Sequence, residues 1–208
     1  MSLARRAATA LLGLSSLLAA GCHPSARTAS RANARAKVYA AVLREVRRDT
    51  AAIWVVVDTL VPTRDVDAEQ HDKVMAALPI TRGMLDAFLA AQRRPADRFG
   101  AAMLPSEGWT RVSPSQLDSL RSIARSDAAT APRPDRGDAF WRQWYLAYPG
   151  SGGYVILSPA SISTSEGVAV VHVRIACGPV CGDTELRVLR RDDEGVWRTT
   201  GRVRLSES

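Results

Sequence analysis

From residue 154 to the C-terminus apolar residues recur at every second position, and this period constrains the chain more than any other feature. In VAVVHVRIA (168–176), Ala169, Val171, Val173 and Ile175 fall on one side, with His172 and Arg174 opposite. In ELRVLRR (185–191), Leu186 and Val188 oppose Glu185 and Arg187. In VWRTTGRVRL (196–205), Trp197, Val203 and Leu205 read as one side, opposite Arg198, Arg202 and Arg204. Consecutive strands with this period and short connections predict an antiparallel sheet with one face on the core and one in water.

Upstream the period is helical. Tyr39, Val42, Leu43 and Val46 predict an amphipathic helix over 37–49. The run IWVVVDTL (53–60) is apolar on both faces and predicts a buried strand. Thr81 is placed to cap a helix over 82–92, with Leu85, Phe88 and Leu89 inward. Ser113-Pro114-Ser115-Gln116 combines a capping serine, a proline at the first helical position and a glutamine three after the cap. Leu117, Leu120 and Ile123 continue that helix, and Asp138 is placed to cap a short aromatic one over 139–148. Polar residues 61–73 and proline-bearing residues 127–137 read as loops, and PGSGG (149–153) as a turn. The predicted class is α+β: N-terminal helices and one buried strand packed on a C-terminal antiparallel β-meander.

The N-terminus carries a different signal. Arg5 and Arg6 precede an apolar run over 7–20, too short to cross a bilayer comfortably and ordered like an export signal. Its ending, Ala19-Ala20-Gly21-Cys22, resembles the lipobox of bacterial lipoproteins, although Ala19 stands where that motif more often has leucine. The resemblance implies cleavage before Cys22, acylation of its thiol with palmitate-type chains, and location on the outer side of a membrane in the cell envelope. An ordinary signal peptide cleaved near Ala20 is the alternative. Residues 22–36 hold almost no bulky apolar side chain and read as a flexible tether, leaving 37–208 as one domain.

Cysteine count agrees with export. Of the three cysteines, acylation of Cys22 leaves Cys177 and Cys181 as an even pair. They flank a short hairpin loop in CGPVCG (177–182), where opposed strand residues approach closely enough for a disulfide. A structural disulfide is expected. A redox-active pair is the second reading, and a metal site the third, because zinc needs two further ligands that the sequence does not pair. No cofactor is expected.

Charge bounds the partners. Lys and Arg number 28 against 21 acids, and removal of residues 1–21 takes away Arg5 and Arg6, lowering the balance from +7 to +5. A basic exported chain suits an anionic envelope component or a protein partner, with the membrane reached through the lipid and nucleic acid excluded by location. Arg174, Arg187, Arg198, Arg202 and Arg204 form the candidate anionic-ligand face.

Candidate catalytic groups are scattered. Ser158 lacks the G-x-S-x-G elbow, His172 sits on the side read as wet, and Asp58 ends the first strand. Asp65, Asp67, Glu69 and Asp72 cluster without the EF-hand pattern. Phe140, Trp141, Trp144, Tyr145 and Tyr148 either line a sugar platform or clamp a helix to the sheet. The chain therefore reads as a non-enzymatic interaction or envelope-associated module. The rival class is an envelope enzyme, either a hydrolase built on Asp58, Ser158 and His172 or a thiol oxidoreductase built on CGPVCG.

Phe140-Trp141, Tyr145, YPGSGGYVILS, VAVVHV, CGPVCG and EGVW together resemble an uncharacterised family of bacterial secreted proteins and lipoproteins over about 60 residues. That resemblance implies export and the fold of the second half, and no reaction. The chain departs from it at ASIS (160–163), where relatives tend to carry Gly-Phe.

Overall fold

Local chemistry sets the helix starts in the structure, a computed structural model that describes residues 26–47, 52–63, 66, 68–95, 97–100, 103–105, 107–130 and 136–207. The backbone N–H of Met84 donates to Thr81 Oγ1 at 3.3 Å, opening α3 (Arg82–Gln92) where predicted. The predicted capping box is reciprocal. The N–H of Gln116 donates to Ser113 Oγ at 3.2 Å and the N–H of Ser113 donates to Gln116 Oε1 at 2.9 Å, opening α4 (Pro114–Thr130). Helices α1 (Ala26–Arg47), α2 (Ala68–Ala77) and α5 (Arg136–Ala147) complete the helical set among the described residues.

The strands are β1 (Ile53–Val57), β2 (Thr59–Leu60), β3 (Asp97–Arg98), β4 (Trp109–Val112), β5 (Ser151–Leu157), β6 (Ser161–Ser163), β7 (Val168–Gly178), β8 (Cys181–Arg191) and β9 (Trp197–Glu207). Seven form one sheet in the order β4-β1-β5-β7-β8-β9, with β6 pairing on β7 beyond the end of β5. β1 runs parallel to both β4 and β5, and the pairs from β5 to β9 are antiparallel. The fold is α+β, with the buried strand incorporated into the same sheet as the meander.

Both faces of that sheet are covered, which corrects the expectation of a wet face. On one face α1 seats Val38, Tyr39, Val42 and Leu43 against Val56, Val155, Leu157, Val171, Val173, Leu189 and Trp197. On the other, α4 and α5 cover Val55, Val57 and Tyr154, while α2 and α3 cover Val168, Val170, Leu186, Val188 and Val203. Alternation in β7 and β8 therefore separates two buried faces. The reading of β9 fails for a local reason. Its register slips against β8 between Val188 and Leu189 and again between Thr184 and Glu185. The first bulge inverts the alternation, so Trp197 faces α1 while Val203 faces α2 and α3.

Four boundaries also differ from expectation. Helix α1 begins at Ala26, so residues 26–36 of the expected tether are helical, and Arg35 there pairs with Asp97 at 2.6 Å. The segment 61–73 contains the start of α2, whose Val74 is buried, as is Leu78 just after its end. α4 continues to Thr130 because Asp127, Ala128 and Ala129 tolerate a helix and the proline constraint starts only at Pro132. α5 opens at Arg136, which puts Asp138 inside it and not at its cap. The signal sequence, Cys22 and residues 23–25 lie outside the described residues, as do Asp65 and Asp67. No helix among the described residues is long and apolar enough to cross a membrane.

Candidate functional site

The cysteines are bonded. Cys177 and Cys181 form a disulfide with Cα atoms 5.1 Å apart. Their geometry differs from the expected opposed pair: Gly178 pairs with Cys181 across a two-residue turn, and Cys177 is the extra residue of a bulge. Val180 at the turn is 89 % exposed, while Cys177 packs against the α1-side core. The bond thus joins the tip of the β7–β8 hairpin to the bulge beneath it.

The five arginines do not make one face. Register puts Arg187, Arg202 and Arg204 on the α1 side of the sheet and Arg174 and Arg198 on the other. Arg187 is buried, its Nε donating to Glu185 Oε2 at 2.8 Å and its Nη1 to Glu45 Oε2 at 3.3 Å. Arg198 pairs with Asp192 at 2.8 Å and Arg204 with Asp183 at 3.0 Å. Alternation cannot distinguish a strand face in water from one lying under a helix, and Arg187 was assigned to water on that basis alone.

The residues proposed for hydrolysis are neighbours without the needed geometry. Ser158, the residue after β5, donates its backbone N–H to the His172 carbonyl on β7 at 3.0 Å, and both residues are buried. The N–H of His172 donates to Ser158 Oγ at 3.0 Å, and the Ser158 hydroxyl donates to the Pro159 carbonyl at 3.3 Å. The His172 ring instead lies beside Thr63, Nε2 to Oγ1 at 3.3 Å. Asp58 accepts from Thr59 Oγ1 at 3.3 Å, while its backbone N–H donates to the Val112 carbonyl at the end of β4 and its carbonyl accepts from the Phe99 N–H. The Ser158 oxygen serves the strand backbone and not an imidazole, so no nucleophile–base pair forms at this position.

The aromatic set clamps α5 to the sheet. Trp144 is fully buried, with its centroid 4.9 Å from Tyr154 and 4.6 Å from Tyr148, and its Nε1 donates to Ser151 Oγ at 2.9 Å. Trp141 stacks on Tyr154 at 5.9 Å. Only Tyr145 of the set is substantially exposed, at 41 %. Among the described residues no three His, Cys, Asp or Glu side chains gather as a metal site.

Two open clefts flank α1, and of the five candidate arginines only Arg198 lines either of them. One, of about 770 Å³, lies beside the C-terminal half of α1 and is lined by Arg44, Glu45, Arg47, Trp109, Trp197 and Arg198. Arg47 Nη1 donates to the Glu107 carbonyl at 2.8 Å, which fixes the guanidinium over Gly108. Glu45 is committed inward, accepting from Arg187 and, at 2.5 Å, from Thr199 Oγ1. Trp109 Nε1 is buried and meets no acceptor among the described residues. The other cleft, of about 600 Å³, lies at the N-terminal end of α1, between it, α3 and the β5–β6 junction. Arg31 and Arg35, four apart on α1, were the available signal for it, hidden by the tether reading.

No family model, curated protein or solved structure matches the chain. The fold and its clefts therefore carry the functional argument alone.

Proposed function

We propose that this is a lipid-anchored, extracytoplasmic binding module, held at the membrane through Cys22 and taking an anionic envelope component in the cleft beside the C-terminal half of α1. The observation that carries the reading is the convergence there of Arg44 and Arg47 with two indoles, those of Trp109 and Trp197. Among the described residues Arg44 has no hydrogen-bond or ion-pair partner, and the one acid on the cleft wall, Glu45, is engaged by Arg187 and Thr199. A guanidinium free of protein partners beside an aromatic wall recognises carboxylate or phosphate groups on a partly apolar ligand.

Two measurements test this separately. Metabolic labelling with an alkyne palmitate should mark the wild-type chain and fail on Cys22→Ser, and equal labelling of the two would refute the anchor. Tryptophan fluorescence titrated with oligogalacturonate, an anionic oligosaccharide, should saturate in the wild type and lose most of its amplitude in Arg44→Ala/Arg47→Ala. A response that is absent, or unchanged in that variant, would refute the cleft.

A further inference from the structure

The second cleft lies at the root of the anchor. Helix α1 begins at Ala26, four positions after Cys22. Four residues of extended chain reach about 14 Å at most. The N-terminal turns of α1 and whatever surrounds them are thus held next to the bilayer if Cys22 carries lipid, while the opposite end of the 22-residue helix stands about 33 Å away.

What surrounds those turns is basic. The cleft is lined by Arg31, Arg35, Arg94 and Asp97, together with Pro159 and Ile162. Arg35 Nη1 donates to Asp97 Oδ2 at 2.6 Å and its guanidinium lies 5.9 Å from the centre of the Tyr39 ring. That hydrogen bond holds the Asp97 carboxyl below the usual range, so the one acid among the described residues of the cleft is ionised and already paired with Arg35. Arg31 and Arg94 are exposed, and their guanidinium groups have no hydrogen-bond or ion-pair partner among the described residues. Two guanidinium groups without a described partner, lining one cleft of about 600 Å³, suit a phosphodiester, whose oxygens accept paired N–H donors.

We infer that this cleft binds the phosphate headgroup of an anionic phospholipid in the same bilayer that holds the anchor, fixing the domain's orientation on the membrane. The inference rests on the lipid-anchored reading for the placement of the cleft, and on charge and geometry for its ligand.

The test uses the chain from residue 22 onward with Cys22→Ser, which contains every described element of the fold and cannot be held to vesicles by an acyl chain. It should sediment with vesicles containing phosphatidylglycerol and not with pure phosphatidylcholine. Arg31→Ala/Arg94→Ala should weaken that binding roughly thirty-fold, from about 1 kcal/mol per basic residue at an anionic surface. Arg44→Ala, at the other end of α1, should leave it within about two-fold, because its charge lies more than a Debye length from the headgroups. Equal binding to both vesicle types, or equal loss in both variants, overturns the inference. Displacement by millimolar glycerol phosphate to the same extent as by excess vesicles would mean a soluble phosphate ligand, and overturns the lipid assignment. Palmitate labelling reads the anchor independently, so a labelled chain indifferent to phosphatidylglycerol refutes the cleft reading alone.

Discussion

Arg187 Nε lies 2.8 Å from Glu185 Oε2, two residues away on the same face of β8, and the two side chains are only 5 % and 7 % exposed. Helix α1 lies over the pair and adds a second carboxylate from Glu45 at 3.3 Å. A charge in such a place is tolerated because it is paired, and removing one partner strands the other. The pair therefore ties the seating of α1 to the middle of the sheet.

Arg187→Met should lower the free energy of unfolding by about 3–5 kcal/mol, read from the urea midpoint. The joint change with Glu185→Leu should recover most of that loss, since no buried charge is then left alone. A double variant as unstable as the single one would show that packing, and not the orphaned carboxylate, sets the cost.

Tyr39 joins α1 to the β5–β6 junction. Its hydroxyl donates to the Ser158 carbonyl and accepts from the Ala160 N–H, both at 2.9 Å. Tyr39→Phe should cost about 1–3 kcal/mol by leaving two buried backbone groups unpaired. Burial raises the phenol's pKa, opposed in part by the nearby Arg35 charge. A folded pKa above the unfolded value of about 10 gives stability that is complete below that pH and lost as pH rises through the folded value. Thermal melts across the alkaline range should thus fall more steeply for wild type than for Tyr39→Phe.

How far the sequence could be read depended on what each signal encodes. Caps are written in adjacent residues, so Thr81 and the Ser113–Gln116 box placed two helix starts correctly. The alternation of β7 and β8 identified strands but not their surroundings, which are set by helices from distant parts of the chain. His172, Glu185 and Arg187 were therefore assigned to water and are buried. Bulges leave no pattern of their own, so the phase of β9 was lost at the Val188–Leu189 slip. The short strands β4 and β6 offer too few residues for any period. Both clefts depend on α1 meeting other elements, and of its cleft-lining arginines Arg31 and Arg35 fall in the stretch that reads as a tether, while Arg44 and Arg47 fall in the predicted helix.

The disulfide closes a loop of only a few residues. Chain entropy then contributes about 2 kcal/mol, and Cys177→Ser/Cys181→Ser should lose about that much without losing the fold. Urea unfolding with far-UV circular dichroism checks both parts. Loss of the native spectrum in buffer would show that the hairpin tip supports more of the sheet than its own turn.

Gly153 lies where β5 carries an extra residue against β1, with φ of +128°. A Cβ there would sit 2.0 Å from the Ala176 carbonyl oxygen on β7. Gly153→Ala must therefore push β5 and β7 apart as well as strain its own backbone, and should cost at least the 1–3 kcal/mol typical of overpacking. Gly150→Ala, in the preceding turn with open space around it, is the control and should cost less.

Asp97 restrains the cleft at the N-terminal end of α1. Its carboxyl is more than half exposed, so its bond to Arg35 contributes at most about 1 kcal/mol to stability. Because its folded pKa is depressed, that contribution is present above the unfolded value of about 3.9 and lost as pH falls through the folded one. No titration of Asp97 is expected near neutrality, and Asp97→Asn supplies the uncharged state there. The substitution frees Arg35 beside Arg31 and Arg94, giving the cleft a third unpaired guanidinium. The chain from residue 22 with Cys22→Ser and Asp97→Asn should bind phosphatidylglycerol vesicles roughly five-fold more tightly at neutral pH, from about 1 kcal/mol for one basic group at the surface. If the two chains bind alike at neutral pH, Asp97 does not control the charge the bilayer meets.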